Sequence, residues 1–210
     1  MPGLSVLVVS DVHDEVQALG FLSEFLDGVK PDLLVACGDV TNRGPVSFAE
    51  DFVEFARQKG VELLVVHGNM DPLSVRDFFE KQGVSIHGKT VEFKGFKFAG
   101  FGGSGRTPNN TPCEYSEDEI ASGLKGLEVD EKTVLVCHTP PFGTKADELA
   151  LGLHIGSKSV RDFVEKKQPL AVLCGHAHET QGEEFLGKTK VVKVGPLMRG
   201  KTALLELPSL

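Results

Sequence analysis

Five short stretches of the chain set side chains able to bind metal ions in turns that follow apolar runs. They are Asp11-Val12-His13, Gly38-Asp39, Gly68-Asn69-Met70-Asp71, His138-Thr139-Pro140 and Gly175-His176-Ala177-His178. Asp11, Asp39, Asn69, His13, His138, His176 and His178 form a donor set able to hold two divalent cations around one shared carboxylate, the equipment of metal-assisted hydrolysis. Each stretch alone has a plainer meaning. An Asp before a helix is commonly an N-cap, Gly-Asp and Gly-Asn pairs are commonly turns, and a lone His is commonly just hydrogen-bonded. What these motifs signify therefore depends on whether they meet in space.

The elements that must bring them together are visible as patterns. Residues 5 to 9, 33 to 36 and 62 to 66 are continuous Val- and Leu-rich runs, the signature of parallel strands buried on both faces. Between them, residues 15 to 27, 46 to 59 and 73 to 82 repeat apolar residues at helical spacing, as at Phe48, Phe52 and Phe55. This βαβαβ order predicts right-handed crossovers with helices packed on a sheet. From Val91 to Phe98 apolar and polar residues alternate about Gly95, which predicts a hairpin in a second sheet. A Gly-, Pro- and Asn-rich loop spans 102 to 115, and Ser116 with Glu119 predicts a capping box opening a helix that ends near Gly126. A strand at 133 to 137, a helix near 157 to 167, a strand at 170 to 174 and three strands between 181 and 207 complete the order. The expected architecture is α/β, a four-layer αββα sandwich of two mixed β-sheets flanked by helices. Ligands then sit at the carboxyl ends of five strands feeding one crevice.

Length and composition narrow the partners. With 210 residues and 40% apolar content, the expectation is one domain spanning residues 1 to 210. A formal charge of -8 disfavours sequence-independent nucleic-acid binding, whereas cations bound in a cleft would suit small anionic substrates. No apolar run is long enough to span a bilayer, and residues 1 to 9 lack the basic-then-apolar plan of an export signal. Cys37, Cys113, Cys137 and Cys174 show no CxxC spacing. Three of them directly precede ligand turns, which predicts small buried side chains in a reducing cytoplasm.

As a set, the motifs resemble the calcineurin-like metallophosphoesterase family. That family's D-x-H, G-D, G-N-H-D/E, lone H and G-H-x-H are matched at Asp11/His13, Gly38/Asp39, Gly68/Asn69/Asp71, His138 and Gly175/His176/His178. The resemblance implies one metal held by Asp11, His13, Asp39 and His178, and a second held by Asp39, Asn69, His138 and His176, with Asp39 bridging. It implies that a metal-bridging hydroxide attacks phosphorus in line, with no covalent intermediate. The mixed His, Asn and carboxylate shell suits divalent transition-metal ions, Mn²⁺ first and Fe²⁺, Zn²⁺ or Ni²⁺ next, better than Mg²⁺ or Ca²⁺.

One departure has chemical consequences. Where the family commonly carries His in G-N-H-D/E, this chain has Met70, whose thioether cannot protonate a leaving group. In this it resembles a branch of small bacterial and archaeal phosphodiesterases. His154, in the long segment 139 to 157 that follows a ligand, is the candidate substitute proton donor. Arg43 sits where phosphoprotein phosphatases of the superfamily carry a phosphate-gripping Arg. Val194-Gly195-Pro196-Leu197 replaces the family's common Asn-Pro-Gly-Ser without removing a ligand. The expected function is hydrolysis of small phosphodiesters such as cyclic nucleotides. A monoesterase and a non-catalytic metal-binding scaffold are the alternatives, and the exposed faces of the second sheet offer a surface for pairing two copies.

Overall fold

In the computed structural model, which describes residues 3–208, the uninterrupted apolar runs become adjacent strands. The first half of the chain runs β1 (Leu4–Val9), α1 (Val16–Val29), β2 (Leu33–Ala36), α2 (Val46–Gln58), β3 (Glu62–Val65) and α3 (Leu73–Lys81). A hairpin follows, β4 (Lys89–Phe93) and β5 (Phe96–Phe101), then the two-residue strands β6 (Ser104–Gly105) and β7 (Glu114–Tyr115). The remainder is α4 (Glu117–Lys125), β8 (Thr133–Cys137), α5 (Lys158–Lys167), β9 (Ala171–Cys174), β10 (Gly182–Leu186), β11 (Thr189–Lys193) and β12 (Ala203–Leu207).

Two main mixed sheets result. In one the order is β12-β1-β2-β3, with β12 antiparallel to β1 and the other pairs parallel. In the other it is β10-β11-β9-β8-β5-β4, antiparallel at both edges and parallel in the middle. The period-two geometry of a strand explains the layering. Val6, Val8, Leu33 and Val35 point between the sheets, against Phe98, Val134, Val136 and Leu173. Their alternates Leu7, Val9, Leu34 and Ala36 meet Leu22, Phe52 and Phe79 of the first three helices. On the far side, Leu135, Cys137, Val172 and Cys174 meet Ile120, Leu124, Val160 and Val164 of α4 and α5. Strands covered on both faces need no polar residue until they end, so polar chemistry collects at their tips.

The expected capping box is present, with Ser116 Oγ accepting from the Glu119 amide and Glu119 Oε2 accepting from the Ser116 amide. The loop read at 102 to 115 is more ordered than its composition suggests. It folds back so that β6 and β7 pair in parallel, and Glu114 accepts hydrogen bonds from the Thr107 hydroxyl and from the Thr111 amide and hydroxyl. Segment 139 to 157 contains two single 3₁₀ turns, Lys145–Asp147 and Ala150–Gly152. Among the described residues no helix is long and apolar enough to cross a membrane.

Candidate metal centre

All five motifs lie just past the carboxyl ends of parallel strands: β1, β2 and β3 of one sheet, β8 and β9 of the other. The turns are tied to one another through their backbones. The Asp11 amide donates to the Gly38 carbonyl, those of Val12 and His13 to the Asp39 carbonyl, and that of Gly175 to the His138 carbonyl. Asp11, His13, Asp39 and His176 all adopt left-handed backbone, with φ of 57°, 53°, 52° and 73°. Such conformations are uncommon for residues other than glycine and persist where surrounding contacts over-determine them. The glycines beside them leave space nothing else could share. A Cβ on Gly68 would lie 2.0 Å from Asp39 Oδ1, and one on Gly175 would lie 1.8 Å from Ser10 Oγ.

The donor atoms converge. Asp11 Oδ1 is 3.1 Å from His178 Nε2 and 3.8 Å from His13 Nε2, while Asp11 Oδ2 accepts from the His176 amide. Asp39 Oδ2 lies between His138 Nε2 at 3.3 Å and His13 Nε2 at 3.7 Å. Its other oxygen accepts the Met70 amide at 2.8 Å. His138 Nδ1 is 2.7 Å from the Cys37 carbonyl, which fixes the proton on that nitrogen and turns Nε2 toward Asn69 Oδ1 at 2.9 Å. Asp11, His13 and His178 offer ligand atoms within 4.8 Å of one another, and so do Asp11, Asp39 and His138. His176 belongs to neither group, but its ring stands edge-on to that of His138, with centroids 5.0 Å apart, and it lines the same cavity as Asp39 and Asn69.

This donor set fits divalent cations. His13 Nε2 and His178 Nε2 face each other at 3.1 Å, so their two lone pairs require a proton or a cation between them. Burial opposes charge on Asp11, yet hydrogen bonds from His13 and His178 hold its carboxyl well below the usual range. Burial likewise opposes a proton on His138, but Asp39 outweighs it and pushes the imidazole up to about 9. His176 is driven the other way, to about 4, by burial and by His138. Carboxylates that draw protons onto neighbouring imidazoles in a buried pocket draw metal ions by the same attraction, with proton release on binding.

A carboxylate behind the donors locks two of the turns together. Asp71, fully buried, accepts from the Gly68 amide at 2.8 Å, the Thr41 amide at 2.7 Å, the Thr41 hydroxyl at 2.9 Å and the Val40 amide at 3.3 Å. Burial and the neighbouring Asp39 push its carboxyl up to about 6, while the hydrogen bonds from Gly68 and Thr41 work in the opposite direction and favour the ionised form.

The donors open into a cavity of about 1130 Å³, whose lining includes His13, Asp39, Asn69, His176 and His178. Met70, Tyr115, Leu149, Leu153, His154, Ile155 and Met198 line it as well. His154 therefore shares the cavity with the donor cluster. Its Nδ1 is 2.8 Å from Asp147 Oδ1, which leaves Nε2 for other chemistry. Asp147 is fully buried and also accepts from the amides of Gly143, Thr144 and Gly156. Arg43 is placed differently. Its Nη2 donates to the carbonyls of Asn109 and Asn110, and its neighbour Asn42, not Arg43 itself, lines the cavity.

Sequence patterns passed over Asp147 and Tyr115. A signal for Asp147 existed in Thr144-x-x-Asp147, the spacing of a capping box that both residues complete. Tyr115 carries no such signal; its hydroxyl is 3.2 Å from Nε2 of the buried His67. His67 and His87 stack edge to face in the interior, where burial holds His67 far below its usual range and His87 at about 4. All four cysteines are free and buried, and burial raises their thiols, to about 11 at Cys113 and about 12 at Cys174. They are packing residues rather than thiolate ligands.

A family model described as calcineurin-like phosphoesterase matches residues 4–180. The chain is 34% identical over 199 residues to the uncharacterized protein MJ1162 of Methanocaldococcus jannaschii, across 92% of this chain and 88% of that one. It is 26% identical over 170 residues to a probable glycerophosphodiester phosphodiesterase GpdQ of Arcobacter nitrofigilis, across 71% of this chain and 57% of the relative. Its fold is similar to that of TT1561 of Thermus thermophilus, with a TM-score of 0.76 at 20% identity over 97% of this chain and 94% of that one.

Proposed function

Since this chain belongs to the calcineurin-like phosphoesterase family, we propose that it is a binuclear-metal phosphoesterase and, within that class, a phosphodiesterase of small phosphodiesters, which include cyclic nucleotides. The observation that carries the proposal is the convergence of Asp, Asn and His donors from five strand ends on the wall of one cavity. One divalent ion would be held by Asp11, His13, Asp39 and His178 and the other by Asp39, Asn69, His138 and His176; bound there, they would supply Lewis-acid charge for phosphoryl oxygens and acidify a water. Mn²⁺ is the first candidate, because the donors are of mixed hardness.

The chain's own residues have separable tasks. Asp39 would serve both ions; one of its oxygens lies between His13 and His138 and the other accepts from the Met70 amide. The Cys37 carbonyl and Asp71 hold His138 and the Gly68 turn so that the donors need not reorganise on binding. In the reaction a water oxygen adds to phosphorus and the P–O bond opposite breaks, leaving an alkoxide that needs a proton. His154, oriented by Asp147, is the proposed donor through Nε2, in place of the imidazole that Met70 lacks. Arg43 is proposed to act on the substrate indirectly, by fixing the 109 to 110 wall through its two carbonyl contacts.

Two points favour a diesterase over a monoesterase. The usual acid is absent at Met70, and one of the relatives bears the name of a glycerophosphodiester phosphodiesterase. The buried, free cysteines support a reducing cytoplasm as the place of action. The test is release of nitrophenol from bis(4-nitrophenyl) phosphate and from 4-nitrophenyl phosphate by metal-stripped protein given Mn²⁺. Faster diester turnover is expected. Faster monoester turnover would reassign the activity, and no turnover of either with metal bound would favour a binding scaffold.

A further inference from the structure

The cavity is much larger than a phosphate group, and apolar side chains share its lining with the donors and with polar residues such as Arg106, Thr107 and Asn109. Met70, Leu149, Leu153, Ile155 and Met198 all line it, and they come from three separate stretches of chain. Leu153 remains 60% exposed and the other four are only partly covered, so a strip of apolar surface is left open to solvent in a site that also holds the polar donors. Such a strip is costly in water and is found where a ligand covers it.

The strip is also held in place. Leu149 and Leu153 close a turn through the Leu149 amide and Leu153 carbonyl at 2.7 Å, and the Ala150 amide donates to Glu179 Oε2, the residue after His178. At the tip Leu151 is fully exposed in left-handed backbone, φ 65°, where a turn residue such as Gly or Asn would be expected. A polar loop would have closed this turn with less strain.

We infer that the substrate is a phosphoester of an aliphatic alcohol, its phosphate at the donor cluster and its hydrocarbon chain along the strip formed by Met70, Leu149, Leu153, Ile155 and Met198. This rests on the phosphoesterase proposal and narrows it, since the polar sugar and base of a cyclic nucleotide would leave most of the strip wet. The two methionines suit the role, being unbranched and able to adjust to chains of different length.

The probes are methyl-, butyl- and octylphosphonate, whose P–C bonds resist hydrolysis, titrated calorimetrically into Mn²⁺-loaded protein. Because each buried methylene contributes severalfold in affinity, octylphosphonate should bind at least ~10-fold more tightly than methylphosphonate. The Leu149→Ser/Leu153→Ser double variant should bring that ratio toward one, while Leu153→Met should preserve it. An equal affinity across the series, or an unchanged ratio in the double variant, overturns the aliphatic assignment and leaves the phosphoesterase proposal standing. Binding of none of the three overturns both.

Discussion

The two walls of the cavity are built on opposite principles. The donor wall is carried on strand ends, with Asp11, Asp39, Asn69 and His138 buried and His13, His176 and His178 partly exposed; Asp11 and Asp39 are fixed by backbone amides, His138 by the Cys37 carbonyl, and two turns by Asp71. The rest of the lining comes mainly from segments 105 to 117 and 149 to 156, whose side chains are mostly partly or fully exposed. Under the proposed phosphoesterase function, chemistry that depends on sub-ångström placement would sit on the first wall, where backbone strain at four donors is over-determined by packing. Selection among substrates would then fall to the second, where residues can change without disturbing the sheets.

The contrast can be broken most severely at the position proposed to serve both ions. Asp39→Asn is expected to lower kcat/KM about 1,000-fold, because a charge-stabilising contact made in the transition state is typically worth that much; steady-state rates with saturating Mn²⁺ check this. Asp71→Asn should cost about 10- to 100-fold in metal affinity or activity without removing a proposed ligand, as outer partners of metal sites do. It should also lower stability by about 1–3 kcal/mol, since the new amide turns an N–H₂ toward buried N–H donors; denaturant unfolding of the metal-free protein reads that loss.

On the loop wall the effects should depend on the substrate. His154→Ala is expected to slow esters of alkyl alcohols by about 100-fold, the lower range of general acid help, and to spare nitrophenyl esters, whose leaving groups need no proton. Asp147→Asn should reproduce the same leaving-group dependence. A loss that is equal for both ester types would mean His154 is structural. Arg43→Ala should give the smallest change, a modest rise in KM at nearly constant kcat, as expected if it only steadies the carbonyls of Asn109 and Asn110. A larger fall in kcat than rise in KM would instead put its guanidinium on the phosphate.

The same division governs what could be read from the chain. Strand interiors buried on both faces, such as Val6-Leu7-Val8-Val9 and Leu33-Leu34-Val35, are recognisable because nothing polar interrupts them, and the residues just after them had to be the donors. The hairpin about Gly95 and the capping box at Ser116 were legible because local chemistry decides them. The Asp147–His154 pair was not, since its geometry depends on amides of Gly143, Thr144 and Gly156 gathered by a loop without periodicity. Nor was the return of β12 to the edge of β1, a pairing such as Leu4 with Leu207 that no local signal encodes. The β6 and β7 pairing was hidden for a similar reason, because Glu114 closes that loop through two threonines.

If the donor wall is a prebuilt binuclear site, equilibrium titration of metal-stripped protein with Mn²⁺, followed by bound metal and by diester turnover in the same samples, should show two ions per chain, turnover that appears with occupancy of the second, and loss of both features in Asp39→Asn. Binding of a single ion, or full turnover before the second ion binds, would contradict it.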